Sequence, residues 1–170
     1  MPLSLLWAVL VLVALSRLAE LIHARRNTAR LLDLGGIEHG RAHYPLIVAL
    51  HVGWLISMAA FIPPETAPDW VWLSAFIALQ AARVWVIVSL GPYWTTRVIS
   101  VPDAPLIRRG PYRFLRHPNY LVVAGEIAVL PLAFGAWEIA LVFSALNGLI
   151  LTHRIRVEQA ALAPRAPITD

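Results

Sequence analysis

The sequence predicts an all-α, polytopic integral membrane protein of about five transmembrane helices, the last two forming a hairpin. Three observations lead there. Of the 170 residues, 59% are hydrophobic and only 14% are charged, against roughly 25% charged residues in an average soluble domain. The apolar residues gather into runs long enough, as helices, to cross a hydrocarbon core of about 30 Å. The arginines fall almost entirely between those runs.

Leu3–Ile22 is a nearly unbroken apolar run. It has no basic segment before it, and its charges follow it, so a retained helix is expected rather than a signal peptide. Tyr44–Ile62 gives a second helix and Trp70–Leu90 a third. Leu121–Leu151 is too long for one ordinary span and short for two. Gly135 lies near its middle, which predicts two short helices turning at Phe134-Gly135-Ala136, with Pro131 bending the first. The chain reads as one domain over 1–170, with three helices in 1–91 and the chemistry in 92–162.

Arginine placement tests the count. All 14 basic residues are Arg. Twelve of them lie in the segments 23–43 and 91–119 and in the tail after Leu151, while the 63–69 loop and the hairpin turn hold none. Five spans put all twelve on one side, which the positive-inside rule makes cytosolic. The expected location is the cell membrane, with the N-terminus outside and the C-terminus in the cytosol.

Several function classes are excluded. With no cysteine in the chain, disulfides, thiolate metal sites and cysteine nucleophiles are impossible. No His/Asp/Glu cluster has metal-ligand spacing, so no metal is expected. The sequence pI near 10.3 does not indicate nucleic acid, because the charges are explained by membrane orientation. A glycine-rich strand-to-helix turn is also missing, which argues against a Rossmann nucleotide site.

The chemistry is expected in two stretches. The first is Leu106-Ile-Arg-Arg-Gly-Pro-Tyr-Arg-Phe-Leu-Arg-His-Pro-Asn-Tyr120. Gly110-Pro111 marks a turn, and His117-Pro118 marks a helix start, because proline suits the first helical turn. Free amides there, beside His117, Asn119 and Tyr120, suit a polar ligand carrying a carboxylate. The second is Arg154-Ile-Arg-Val-Glu158-Gln159, whose Arg154 and Glu158 share one helix face. Blander readings compete: a simple helix cap at 117–119, a surface ion pair at Arg154/Glu158, interfacial anchors at Tyr112 and Tyr120, and ordinary packing at Leu106 and Ile107.

Gly110-Pro-Tyr-Arg-Phe-Leu-Arg-His-Pro-Asn-Tyr120, followed after a helical hairpin by Arg154-Ile-Arg-Val-Glu158-Gln159-Ala-Ala-Leu162, resembles the isoprenylcysteine carboxyl methyltransferase family. Glu20, Ala24-Arg25-Arg26-Asn27, His43-Tyr44-Pro45 and Tyr93-Trp94 look like a bacterial branch of it. The resemblance implies an S-adenosyl-L-methionine-dependent O-methyltransferase. Leu106, Ile107, Tyr112, His117, Pro118, Asn119, Tyr120 and Glu158 would line the cofactor pocket, and Arg154 would contact the acceptor as the catalytic and substrate-binding residue. Where the family commonly has two consecutive acids, this chain has Glu158-Gln159. The implied partners are membrane lipids and a lipophilic small-molecule or lipidated acceptor, either a prenylcysteine-type carboxylate or the hydroxyl of a polyketide-derived lipid. Two other classes stand beside this reading: an NADPH-dependent membrane lipid reductase and a non-catalytic lipid-binding scaffold.

Methyl transfer from a sulfonium is an in-line displacement that requires alignment and exclusion of water. A carboxylate acceptor is already ionised at neutral pH. A phenol is not, and forming its anion costs roughly 4 kcal/mol at pH 7. Cationic help from Arg154 would lower that cost.

Five ionisable residues fall within or near the spans, where such groups are costly. Arg17 and Glu20, three apart, are expected to pair. His51 is expected to be a neutral, hydrogen-bonded helix contact, and Arg83 and Glu126 an interhelical ion pair.

Overall fold

The computed structural model describes residues 4–102, 104 and 107–162. It contains five α-helices: α1 (Leu5–Asp33), α2 (Tyr44–Phe61), α3 (Trp70–Leu90), α4 (Pro118–Ala133) and α5 (Trp137–Leu162). The first, second, third and fifth are long and apolar enough to cross a membrane. Their outward faces carry side chains such as Leu12, Phe61, Val71 and Leu149, at least 66% exposed, as lipid-facing surfaces would.

The hairpin forms at the expected place. Gly135 adopts φ +71°, a left-handed conformation that glycine takes without a Cβ penalty. The amides of Phe134 and Ala136 both donate to the Pro131 carbonyl, at 3.0 and 2.9 Å, closing the turn between α4 and α5. The two helices are unequal. α4 has 16 residues and α5 has 26, so only the first is short. Nine of the α4 residues are buried, with Ile127 and Leu130 fully so, because α4 packs between α3 and α5. Leu6, Trp54, Met58 and Phe76 complete this core.

Two features depart from the sequence reading. α1 runs to Asp33, well past Ile22, carrying Arg25, Arg26 and Arg30 on its extension. Two short strands also pair antiparallel: β1 (Ile37–His39) in the α1–α2 connection and β2 (Val98–Ser100) in the α3–α4 connection. His39 Nε2 lies 2.8 Å from Ser100 Oγ, and Arg97 Nη1 donates to Glu38 at 2.8 Å. These contacts bind the two connections together at one end of the bundle. At the other end, the Asp69 amide donates to the Ala133 carbonyl at 2.8 Å, joining the arginine-free α2–α3 loop to the hairpin turn.

The intramembrane charges form one network. Arg83 donates from Nε and Nη2 to Glu20, at 2.9 and 2.7 Å, and from Nη1 to Glu126 at 2.7 Å. Arg17 donates to Glu20 at 3.2 Å and to Gln80 Oε1 at 2.8 Å, and Gln80 Nε2 donates to Glu126 at 2.7 Å. The two expected pairs, Arg17–Glu20 and Arg83–Glu126, are both present, but they are fused through the second Arg83 bond into a single tie across α1, α3 and α4. His51 Nδ1 donates to the Ile47 carbonyl at 2.8 Å, the helix contact expected of it.

Candidate active site

The site lies at the end where β1 pairs with β2. It begins with the turn before α4. Gly110 has φ +57°, and a Cβ there would collide with the Ser89 hydroxyl. Its neighbour Arg109 donates from Nε to the Ser89 carbonyl at 2.7 Å. The Gly110–Arg113 3-10 turn therefore lies directly on the end of α3, which brings Tyr112 over the cavity. Pro118 then starts α4, as expected at a first helical position. His117 is the N-cap residue, yet its side chain makes no capping hydrogen bond, so helix capping does not account for the imidazole.

A cavity of about 230 Å³ collects the two motifs. Ile107, Tyr112, His117, Asn119, Tyr120, Arg154 and Glu158 all line it. Two residues assigned to the pocket by resemblance are not among them. Pro118 is buried at the helix start and serves the backbone there, and Leu106 lies outside the described residues. The opposite wall comes from Leu31, Leu90, Trp94 and the 95–101 segment containing β2. α1, through Leu31, and α3, through Leu90, thus contribute to the site alongside 92–162.

At its centre is a hydrogen-bonded chain. Arg154 donates from Nε to the Tyr120 hydroxyl at 2.9 Å and from Nη2 to the Thr96 carbonyl at 2.7 Å. The Tyr120 hydroxyl in turn donates to Glu158 Oε2. Arg154 is only 7% exposed. It makes no ion pair with Glu158 among the described residues, so the surface-pair reading is overturned. Tyr120 is likewise buried, not an exposed interfacial anchor. The Nε–Nη2 edge of the guanidinium is occupied by protein oxygens. Nη1 has no hydrogen bond among the described residues, which makes it the donor left for a ligand.

The rest of the cavity offers a carboxylate beside polar atoms that lack partners among the described residues. Glu158 Oε1 stands 3.7 Å from His117 Nδ1, too far for a hydrogen bond. His117 Nδ1 and Asn119 Oδ1 are buried with no hydrogen-bond partner among the described residues, and buried polar atoms in native proteins are normally partnered. The indole Nε1 of Trp94, on the opposite wall, is in the same condition. Burial raises the pKa of the Tyr112 phenol, and the nearby Glu158 charge raises it further. Tyr112 is therefore a neutral phenol at physiological pH and offers a hydrogen bond, not a base. No group of three or more His, Cys, Asp or Glu able to hold an ion occurs among the described residues.

Sequence reasoning put 94–101 inside the 92–162 region but assigned no pocket role to any residue of that wall. Thr96 acts through its backbone carbonyl, which leaves no side-chain signal. Trp94 and Arg97 lie in a stretch where nothing in the sequence announced a strand. Asn27 positions Trp94 by donating to its carbonyl at 2.8 Å, a contact made possible by the unforeseen extension of α1.

Apolar helices surrounding a central charged tie, with a buried polar cavity at one end, define a polytopic membrane protein with an enzyme-like site. The isoprenylcysteine carboxyl methyltransferase (ICMT) family matches residues 71–164, a stretch that contains α4, α5 and all of α3 but its first residue. The chain belongs to this family and is by that membership a membrane methyltransferase. It is similar to the uncharacterized protein YpbQ of Bacillus subtilis (strain 168), 36% identical over 160 residues that cover 92% of this chain and 95% of that protein. An uncharacterized protein of Haemophilus influenzae is 28% identical over 149 residues, covering 84% of this chain and 86% of its own. No solved structure matches.

Proposed function

We propose that the protein transfers a methyl group from S-adenosyl-L-methionine to an oxygen atom of a lipophilic acceptor, working at the cytosolic face of the cell membrane. The observation that carries this reading is the Arg154–Tyr120–Glu158 chain inside a cavity where His117 Nδ1, Asn119 Oδ1 and Trp94 Nε1 lack partners among the described residues. When bound, the cofactor supplies an electrophilic methyl on a sulfonium. Glu158 holds the ammonium end of that ligand by charge. Asn119 Oδ1 accepts a hydrogen bond from it, and His117 shapes the pocket beside the carboxylate. Arg154 keeps Nη1 for the acceptor oxygen, and its charge favours an anionic or strongly polarised oxygen. Leu90, Trp94 and Val98 give the acceptor's apolar body a matching wall. Both a prenylcysteine-type carboxylate and the hydroxyl of a polyketide-derived lipid fit these terms.

Calorimetry with S-adenosylhomocysteine on the purified protein tests the cofactor assignment. Binding is expected, and Glu158→Ala should weaken it by at least about tenfold, the scale of one charged hydrogen bond. Wild-type affinity in that variant would remove Glu158 from the cofactor site, and binding of NADPH alone would remove the methyltransferase assignment to this cavity.

The orientation rests on charge. All the described exposed arginines lie at the cavity end, and the 63–69 loop and hairpin turn at the other end carry none. Because the chain has no cysteine, single cysteines at Ala42, Ala67 and Ala160 can be labelled without background. Ala42→Cys and Ala160→Cys should react from the cytosol and Ala67→Cys from outside. The reverse pattern would place the site on the external face.

A further inference from the structure

Arg154 and Glu158 occupy one face of α5, a single turn apart, yet they do not meet directly. The connector is a hydroxyl from another helix: Tyr120, in the first turn of α4. A phenol has one proton, and here it goes to Glu158 Oε2 while the oxygen accepts from Arg154 Nε. The ring has little room to move. The His117 imidazole stacks on it at 5.5 Å between centroids and 21° between planes, and the Arg154 guanidinium carbon lies 5.5 Å from the ring centroid. A cationic donor polarises the phenol it bonds to, which strengthens that phenol's own donation to a carboxylate. With Oε2 fixed in this way, Glu158 presents Oε1 to the cavity and to His117.

We propose that Tyr120 is a positioning residue whose hydroxyl couples the two halves of the site, so that the state of Arg154 on the acceptor side sets the affinity of the cofactor at Glu158. This rests on the function proposed above. It follows that Arg154 does not act on the acceptor alone. An acceptor oxygen that draws on Arg154 alters its donation to Tyr120, and with it the hold on Glu158. By thermodynamic linkage the cofactor alters acceptor affinity by the same factor. A residue that merely packed the pocket would affect cofactor affinity independently of Arg154.

The test is a double-mutant cycle read by binding of S-adenosylhomocysteine, with no acceptor and no turnover required. Four proteins are compared: unchanged, Arg154→Gln, Tyr120→Phe and the double variant. Arg154→Gln should weaken binding about five- to tenfold in the unchanged chain, the scale of one ordinary net intramolecular hydrogen bond, because the effect reaches Glu158 only through Tyr120. In the Tyr120→Phe background the same change should alter it less than about twofold. An equal loss in both backgrounds, or no loss in the first, overturns the coupling. If Arg154→Gln lowers the melting temperature enough to obscure binding, Arg154→Lys replaces it, since it keeps the charge but lacks the Nε donor. Failure of the unchanged protein to bind S-adenosylhomocysteine overturns the proposed function and the coupling with it, and is separated from the other outcomes by appearing before any substitution is made.

Discussion

Arg154→Ala is expected to lower methyl transfer about 10²- to 10³-fold, the usual loss when one donor aimed at a reacting oxygen is removed from a buried site. Arg154 is 7% exposed, and its guanidinium is held by Tyr120 and Thr96, which leaves Nη1 aimed by construction and not by chance. Cofactor binding should suffer far less, by no more than about tenfold, because it is reached only through Tyr120. Arg154→Lys discriminates further. Lysine keeps the charge but cannot span both the Tyr120 hydroxyl and the Thr96 carbonyl while also presenting a third nitrogen. Turnover should remain at least about tenfold down in Arg154→Lys, with S-adenosylhomocysteine still bound. Initial rates over a range of acceptor concentrations check both variants. Unimpaired turnover in Arg154→Ala would remove the residue from the chemistry.

Arg154 and Glu158 were legible in the sequence as a pair because four-residue spacing on a helix puts two side chains on one face. Spacing does not say whether the two touch. Here a residue from α4 intervenes, and only the packing of α4 against α5 decides that. The helices were legible because continuous apolar runs have few other folded solutions in a membrane, and Trp70–Leu90 falls on the expected bounds. The hairpin turn was legible from one glycine in a long run. The end of α1 was not: beyond Ile22 its pattern turns polar, and the helix continues because Ala24, Asn27 and Leu31 are buried against the loops of the site end. The strands were illegible too. Each has three residues, and they pair across 61 positions of sequence at their centre, Glu38 with Ile99. No local periodicity reports such a contact. One wall of the cavity was therefore hidden, while the other, built on a dense polar and aromatic motif, was plain.

The second large effect is expected outside the cavity. Glu126→Leu should destabilise the protein by about 3–5 kcal/mol, the cost of leaving a buried charge without its partner. Glu126 accepts from Arg83 and Gln80 at 2.7 Å each, and Arg17 Nη2 lies 3.4 Å away. Its side chain is 6% exposed and that of Arg83 is 9% exposed, so neither reaches solvent to recover what it loses. Two arginines and two glutamates make the network neutral. Removing one acid leaves a net positive charge among apolar helices, where an unpaired charge is costly. Two further variants separate charge from shape. Glu126→Gln keeps the volume and part of the hydrogen bonding but loses the charge, and should show most of the destabilisation. Glu126→Leu combined with Arg83→Met restores neutrality with Glu20 still facing Arg17, and should recover part of the loss, as replacement of buried pairs by apolar residues often does. Thermal melting in detergent reads all three. The effect should also reach activity. α4 begins at the cavity with Tyr120 and passes through the network at Glu126, so releasing Glu126 loosens the helix that holds the phenol between Arg154 and Glu158. A Glu126→Leu variant as stable as the unchanged protein would show that apolar packing alone keeps α4 in place.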